Sequence, residues 1–410
     1  MPADLAVLGL GQLGLPAARA ATAAGIGTVG FLADPDAAAG INAGRPPAGG
    51  SLSAAELRRM LAAGFRASSD PADLGRVRTA LICAATPPGA GHAPDLSAVR
   101  EAAQALAPVL RPRMLVVLES TVHPGTTRDV LRPLLERGSG LRAGRDFHLA
   151  HAPGRLDPGS RTVGYAGIPR VIGGLTPACT EAAAAFYGRL ADKVVRARGV
   201  QEAEAVKLLE TNFRHVNIAL VNEMAVLCHE LGIDVWDVVR CAESKPFGFL
   251  AFRPGPGVGG RAAACDPGGR LRLVELAREV NERMPRYVTQ RAAALLNEHG
   301  KSARGAHVLL LGVTYRPDLP DRQGAPAGEI ASRLLTLGAE LMFHDPFVAE
   351  WRVAGRPVAR ADSLYESAAA ADLTLLLQHH STYDLQGLAA KAQLLLDTRG
   401  ATPAGAAHRL

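Results

Sequence analysis

The sequence predicts an α/β protein in which two doubly wound, mostly parallel sheets are joined by a helical segment. Three observations carry this. A short apolar run at residues 4–9 enters a glycine-rich turn and then an alanine-rich helical stretch. Apolar runs of strand length alternate with helical stretches, and the alternation restarts near residue 306. Between the two α/β stretches, residues 201–239 keep a helical period, hold no proline and have Gly232 as their only glycine.

Taken in order, the first strand at 4–9 leads through Gly9-Leu10-Gly11-Gln12-Leu13-Gly14 into a helix that reaches Gly25. A second strand follows over 28–34, and further buried strands are expected at 79–85, 114–120 and 170–174. In the helical segment, Leu208, Leu209, Val216, Ile218, Leu220, Met224 and Leu227 place apolar groups on more than one side. A helix apolar over such a width is expected to be buried, between domains or between subunits. The last third predicts strands at 306–315, 339–346, 371–380 and 392–400, with a helix over 326–337. The expected divisions are 1–199, 200–299 and 300–410.

The 410 residues suffice for two or three domains, and 48% hydrophobic with 20% charged residues excludes a disordered chain. The net charge is +6, yet only Lys193, Lys207, Lys245, Lys301 and Lys391 are lysines, and no dense basic run appears. No nucleic-acid partner is therefore expected. No apolar run reaches membrane-spanning length, and the first residues lack a basic stretch followed by an apolar one. No membrane association and a cytoplasmic location are the expectation. The five cysteines are odd in number and show no paired spacing, which argues against a disulfide scaffold or a cysteine-rich metal site. No metal is expected. One reactive thiol remains open.

Gly9, Gly11 and Gly14 follow a strand and open a helix inside a βαβ unit. There, glycines permit a tight turn and the close approach of a pyrophosphate to the helix N-terminus. The same pattern expects an acid at the end of the second strand to bind a ribose diol. That position holds Leu32; Asp34 lies two residues on, on the same face by strand alternation, and substitutes as the cofactor-binding acid only if the strand end is displaced.

The segments PDLSAV (94–99), VVLESTVHPGTT (116–127), KLLETNFRHVNIALVNE (207–223), KPFGF (245–249), PGPGVGG (254–260) and GVTYRPD (312–318) settle the family. The chain resembles the UDP-glucose/GDP-mannose dehydrogenase family, nearest to the branch acting on UDP-N-acetylhexosamines. The resemblance covers essentially the whole chain. It implies an N-terminal Rossmann domain that binds NAD, a central helical dimerisation region and a C-terminal Rossmann-like domain that binds the nucleotide of the sugar. It implies a homodimer and a nucleotide-sugar partner, a UDP-hexose or UDP-N-acetylhexosamine. It also implies two successive NAD-dependent oxidations of the sugar C6 alcohol to a carboxylate, through a cysteine thiohemiacetal.

The same resemblance assigns roles to single residues. Lys207 matches the lysine that polarises the sugar oxygen. Thr121 and Asp266 match positions that bind the catalytic water and orient that lysine. Thr86 matches a threonine beside the nicotinamide ribose, preceded here by Ala85. Gly255, Gly257, Gly259 and Gly260 match the loop that wraps the sugar and diphosphate, and Lys245 and Arg253 are candidate phosphate partners. Arg155 either contacts the ligand or is solvated.

Several chemical positions depart from the family. The nucleophile position is Ala262; Cys265 lies three residues later, where a small buried filler is the favoured reading. Gly154 stands where the family has a glutamate linked to thioester hydrolysis. The helix amide has become Thr211 with Asn212 beside it, and Gln323 stands where a late arginine is usual. The first expectation is a divergent NAD-dependent oxidoreductase limited to a two-electron step on a UDP-sugar. The alternatives are a pseudoenzyme that binds a nucleotide sugar or partners an active relative, and a full 6-dehydrogenase using Cys265.

Overall fold

The structure, a computed structural model, describes residues 3–47, 52–87, 89, 94–155, 164–258, 271–322 and 324–410. Gly259, Gly260, Ala262, Cys265, Asp266 and Gln323 lie outside the described residues. The chain divides into two compact units, Met1–Thr211 and Asn212–Leu410.

The first unit runs β1 (Leu5–Leu8), α1 (Gly14–Ala23), β2 (Thr28–Phe31), α2 (Pro35–Asn42), α3 (Ala54–Ala62), β3 (Arg66–Ser68), β4 (Thr79–Ile82), α4 (Ser97–Leu106), β5 (Leu115–Leu118), α5 (Arg132–Ser139), β6 (His148–His151), β7 (Arg170–Gly174), α6 (Pro177–Tyr187) and β8 (Val194–Arg196). Its strands lie in the order β3-β2-β1-β4-β5-β6-β7-β8. Every pairing is parallel except β6 with β7. β1, β4 and β5 read LAVL, TALI and LVVL and are buried throughout, as parallel strands covered on both faces must be. Alternation divides them between two cores. Leu5, Val7, Leu81, Leu115 and Val117 face one; Ala6, Leu8, Ile82, Val116 and Leu118 face the other.

The helix α7 (Val200–Glu230) starts in the first unit and continues into the second. The second unit adds α8 (Val235–Glu243), α9 (Arg272–Glu298), β9 (His307–Leu311), α10 (Ala327–Leu337), β10 (Glu340–His344), β11 (Trp351–Val353), β12 (Arg356–Arg360), α11 (Leu364–Ala370), β13 (Leu373–Leu376), α12 (Leu385–Lys391), β14 (Leu395–Asp397) and β15 (His408–Arg409). Strand order is β11-β12-β10-β9-β13-β14-β15, parallel apart from the β11–β12 hairpin.

One copy of the chain leaves part of the helical segment open. Leu209 is 71% exposed and Leu220 57%, with Phe213 and Leu227 also open. This chain alone does not cover those side chains. The helix also breaks before 239: Gly232, at φ +69°, ends it in the left-handed conformation that glycine tolerates. Asp234 then caps α8 by accepting from the Trp236 N–H.

Candidate functional site

In the first unit, β1 aims the chain into the glycine turn. A β-carbon at Gly14 would lie 1.9 Å from the Gly9 carbonyl oxygen, so the turn closes only with glycine there. Gly11 is exposed, with open space where its side chain would be. α1 has no side-chain cap; in its first turn the Leu15 N–H donates to the Gly11 carbonyl at 3.2 Å and Pro16 has no N–H, so the approach to the turn rests on its glycines. These features fit a dinucleotide pyrophosphate. The ribose end is different. Leu32 is half-buried and packs against the apolar core, and Asp34 caps α2, its Oδ1 accepting from the Asp36 N–H at 2.9 Å. One carboxylate oxygen of Asp34 thus already serves its own helix.

Thr86, Thr121, Gly154 and Arg155 sit on loops that leave β4, β5 and β6. Thr86 Oγ1 donates to the Thr121 carbonyl at 2.8 Å, and Ser120 Oγ to the Ala84 carbonyl at 2.7 Å, so the first two loops are pinned together. The Gly154 N–H donates to the Glu119 carbonyl at 3.1 Å. Side chains of Leu13 fill the place where a side chain at Gly154 would begin. Arg155 is a ligand to neither solvent nor open space alone: it donates to the Pro169 carbonyl at 2.7 Å and pairs with Glu210 at 2.6 Å.

Lys207 is half-buried on α7, three residues after Glu204 and three before Glu210. Glu204 is fully buried and accepts from Gly125 N–H at 2.5 Å, Thr127 N–H at 2.8 Å and Thr127 Oγ1 at 2.6 Å. Burial pushes its carboxyl up, against the lowering effect of those bonds. Two carboxylates therefore fix the helix to two loops on either side of the lysine. Sequence reasoning passed over Glu204 and Glu210. The signal was present as acids interleaved with apolar residues at the start of α7. Thr211 is partly buried, whereas Asn212 is buried with its Oδ1 unpartnered.

In the second unit, the Gly255 N–H donates to Asn222 Oδ1 at 2.9 Å, and Asn222 Nδ2 donates to Asn281 Oδ1 at 2.9 Å. A β-carbon at Gly255 would lie 3.1 Å from Arg399 Nη1. Arg399 is held by its Nε donating to the Leu377 carbonyl at 2.6 Å. Burial raises the Tyr315 phenol, while Arg316, Arg214 and Arg399 all pull it down. The charges of three arginines thus act on one tyrosine, and glycine at 255 leaves room for the close approach of Arg399. Forked donors of this kind suit a diphosphate. Lys245 and Arg253 are exposed, and among the described residues no side-chain hydrogen bond draws either into this cluster. Lys245 lies 5.1 Å from the Phe247 ring. A cavity of about 330 Å³ opens beyond β9 and β10, lined by Pro320, Arg322, Phe347, Val348, Ala349 and Glu350. Arg214, Asn222 and Arg316 lie inside the segments 207–223 and 312–318 but were not singled out from sequence, and Arg399 lies outside every quoted segment.

Among the described residues, Cys83, Cys179 and Cys228 are buried free thiols and Cys241 an exposed one. Among the same residues, no cluster of histidine, cysteine and acid side chains has the makings of a metal site, and no helix is long and apolar enough to cross a membrane.

Two doubly wound sheets, the first entered through a pyrophosphate-type glycine turn, define an α/β protein of the dinucleotide-binding class. The chain matches three domains of one family in order. They are the NAD binding domain over residues 3–191, the central domain over 201–295 and the UDP binding domain over 309–404. It belongs to the UDP-glucose/GDP-mannose dehydrogenase family. It is 31% identical to the UDP-N-acetyl-D-mannosamine dehydrogenase of Escherichia coli K12, over 97% of this chain and 99% of that one. The structure of UDP-D-ManNAc dehydrogenase from Pyrococcus horikoshii is similar at a TM-score of 0.86 and 29% identity, covering 98% and 97% of the two chains. The UDP-N-acetyl-mannosamine dehydrogenase Cap5O of Staphylococcus aureus is similar at a TM-score of 0.85 and 28% identity, covering 99% and 97%.

Proposed function

We propose that this chain is a divergent nucleotide-sugar dehydrogenase that carries out at most one two-electron step on a UDP-N-acetylhexosamine. The observation that carries the reading is Gly154 itself: a carboxylate at that place serves thioester hydrolysis in the family, and glycine supplies none. Ala262 at the nucleophile position points the same way, because an alanine forms no thiohemiacetal.

The remaining groups suit a single oxidation. NAD supplies a hydride acceptor when bound at Gly9, Gly11 and Gly14. Lys207, fixed between Glu204 and Glu210, polarises the sugar oxygen and stabilises the charge that develops on it. Thr121 and Asp266 orient water and lysine. With NAD⁺ bound there, the C6 carbon would give up a hydride and its hydroxyl a proton to solvent, giving an aldehyde. Arg214, Arg316, Arg399 and Gly255 hold the diphosphate of the sugar. The chain acts as a homodimer, a reading supported by Phe213, Leu220, Leu227, Leu273 and Leu276, large apolar side chains of α7 and α9 left exposed in one copy. The test is incubation with NAD and a panel of UDP-N-acetylhexosamines, with absorbance of NADH as the readout.

A second reading has its own observation. With Leu32 at the ribose-acid position and Asp34 engaged in capping α2, the chain holds NAD poorly and works as a binding protein for the nucleotide sugar. Micromolar NAD affinity excludes this reading.

A further inference from the structure

The loop that follows β9 carries Tyr315 and Arg316 and reaches Asp318, whose φ is +59°. A residue with a side chain adopts that left-handed conformation only when its surroundings hold it there. Two bonds do so here. The Asp318 N–H donates to His380 Nδ1 at 2.9 Å, and Asp318 Oδ1 accepts from the Ser381 N–H at 2.8 Å.

His380 is fully buried. Its Nδ1 accepts from a backbone N–H, so the proton of the neutral ring is on Nε2. Nε2 then donates to Asp345 Oδ2 at 3.0 Å. Asp345 also accepts from the Val313 N–H and the Phe347 N–H, each at 2.8 Å. Burial works to raise the Asp345 carboxyl, but the His380 bond and these two N–H groups bring it below its usual range. One imidazole thus ties together the loops that leave β9, β10 and β13. These strands flank the place where the sheet order reverses, β10 lying on one side of β9 and β13 on the other. In an open parallel sheet, ligands bind beyond the carboxyl ends of the strands at that reversal.

We propose that His380 is a positioning residue for nucleotide binding: it accepts from Asp318 while donating to Asp345, and so sets the loop that presents Tyr315 and Arg316 to a diphosphate. This rests on the reading of the second unit as the nucleotide-sugar site. His380 is too deep to touch the ligand and acts through the backbone of Asp318.

The experiment is calorimetric titration of UDP into the full chain and its variants, with a melting temperature taken for each. In His380→Asn the amide oxygen can stand near the place of Nδ1 and accept from Asp318. His380→Leu has neither partner. Loss of one hydrogen bond to the loop predicts roughly tenfold weaker UDP binding for His380→Leu. His380→Asn stays within about threefold of the parent, although it too loses the bond to Asp345 and melts lower. Should His380→Leu not fold, His380→Gln takes its place, since it keeps a donor for Asp345 but moves the acceptor away from Asp318; it is expected to weaken UDP binding as His380→Leu does. Equal UDP affinity in all variants, or equal weakening in His380→Asn and the others, overturns the inference while leaving the nucleotide-site reading intact. Failure of the unaltered chain to bind UDP overturns that reading, and this inference with it.

Discussion

Leu13 covers Gly154: a β-carbon at residue 154 would lie 2.6 Å from Leu13 Cδ2 and 2.9 Å from Cδ1. Residue 13 belongs to the glycine turn that receives the dinucleotide, and residue 154 to the loop after β6. The place of the family glutamate is therefore shared with the far end of one leucine side chain of the cofactor turn, which must shift before an acid is seated there. Gly154→Glu is expected to destabilise by about 2 kcal/mol through overpacking. Adding Leu13→Ala opens the space, so the double variant is expected to be at least about 1 kcal/mol more stable than the two single effects added together. Denaturant titration of the four proteins measures this, and strict additivity would show that the two residues do not compete for the same space.

Leu32 stands where an acid is expected at the end of the second strand. Leu32→Asp provides a charged acceptor for the ribose diol, a bond worth roughly 1.5–3 kcal/mol. NAD binding measured by calorimetry is expected to tighten about tenfold or more. Unchanged affinity would mean that Asp34 already supplies that contact in spite of capping α2.

The Arg155–Glu210 pair holds the loop after β6 to the helix one turn beyond Lys207. Its side chains are 26% and 36% exposed, so the stabilisation is modest, about 1 kcal/mol in a double-mutant cycle of Arg155→Ala and Glu210→Ala. The greater effect is expected on Lys207. Any NADH-forming activity is expected to fall further in Glu210→Ala than the loss of folded protein accounts for.

Acid sensitivity of the first unit is expected to come in large part from His151. Burial holds its imidazole far below the usual histidine range, at about 3. The unfolded chain therefore binds a proton near pH 6.5 that the folded chain refuses until about pH 3. The unfolded state carries more protons in that window, so stability rises with pH across it and is level above it. The contribution present at neutral pH is lost on acidification, by about 2 kcal/mol at pH 5. His151→Leu removes this dependence: denaturation midpoints measured from pH 7.5 to pH 4.5 should fall less steeply in the variant. Parallel curves would assign the acid limb to other groups.

The strands were legible because buried parallel strands are short unbroken apolar runs, as in TALI and LVVL, and the glycine turn because Gly14 leaves no alternative at its position. α9 was not read from sequence: Pro285 interrupts it and Arg278, Glu279, Glu282 and Arg283 mask its apolar stripe, although Val288, Ala292 and Leu296 are buried. The β11–β12 hairpin was also missed: of its two left-handed turn positions only the second is glycine, Gly355 at φ +79°, while Ala354 takes the first at φ +47°. At the site, Glu204, Glu210, His380 and Arg399 were not singled out from sequence. Their partners are distant in sequence, and only the fold brings Asp318 to His380 or Gly255 to Arg399. The breadth of apolar residues along α7 was read correctly as a pattern, but the cover it requires is not provided by one copy of the chain.

The central claim is that the four-electron oxidation is closed in this protein. It is tested most directly by counting NADH formed per UDP-N-acetylmannosamine consumed, with hydroxylamine present to trap an aldehyde and mass spectrometry of the sugar product. At most one NADH per sugar, with the product recovered as the oxime of the aldehyde, is the predicted result. Two NADH per sugar and a free uronate would contradict it.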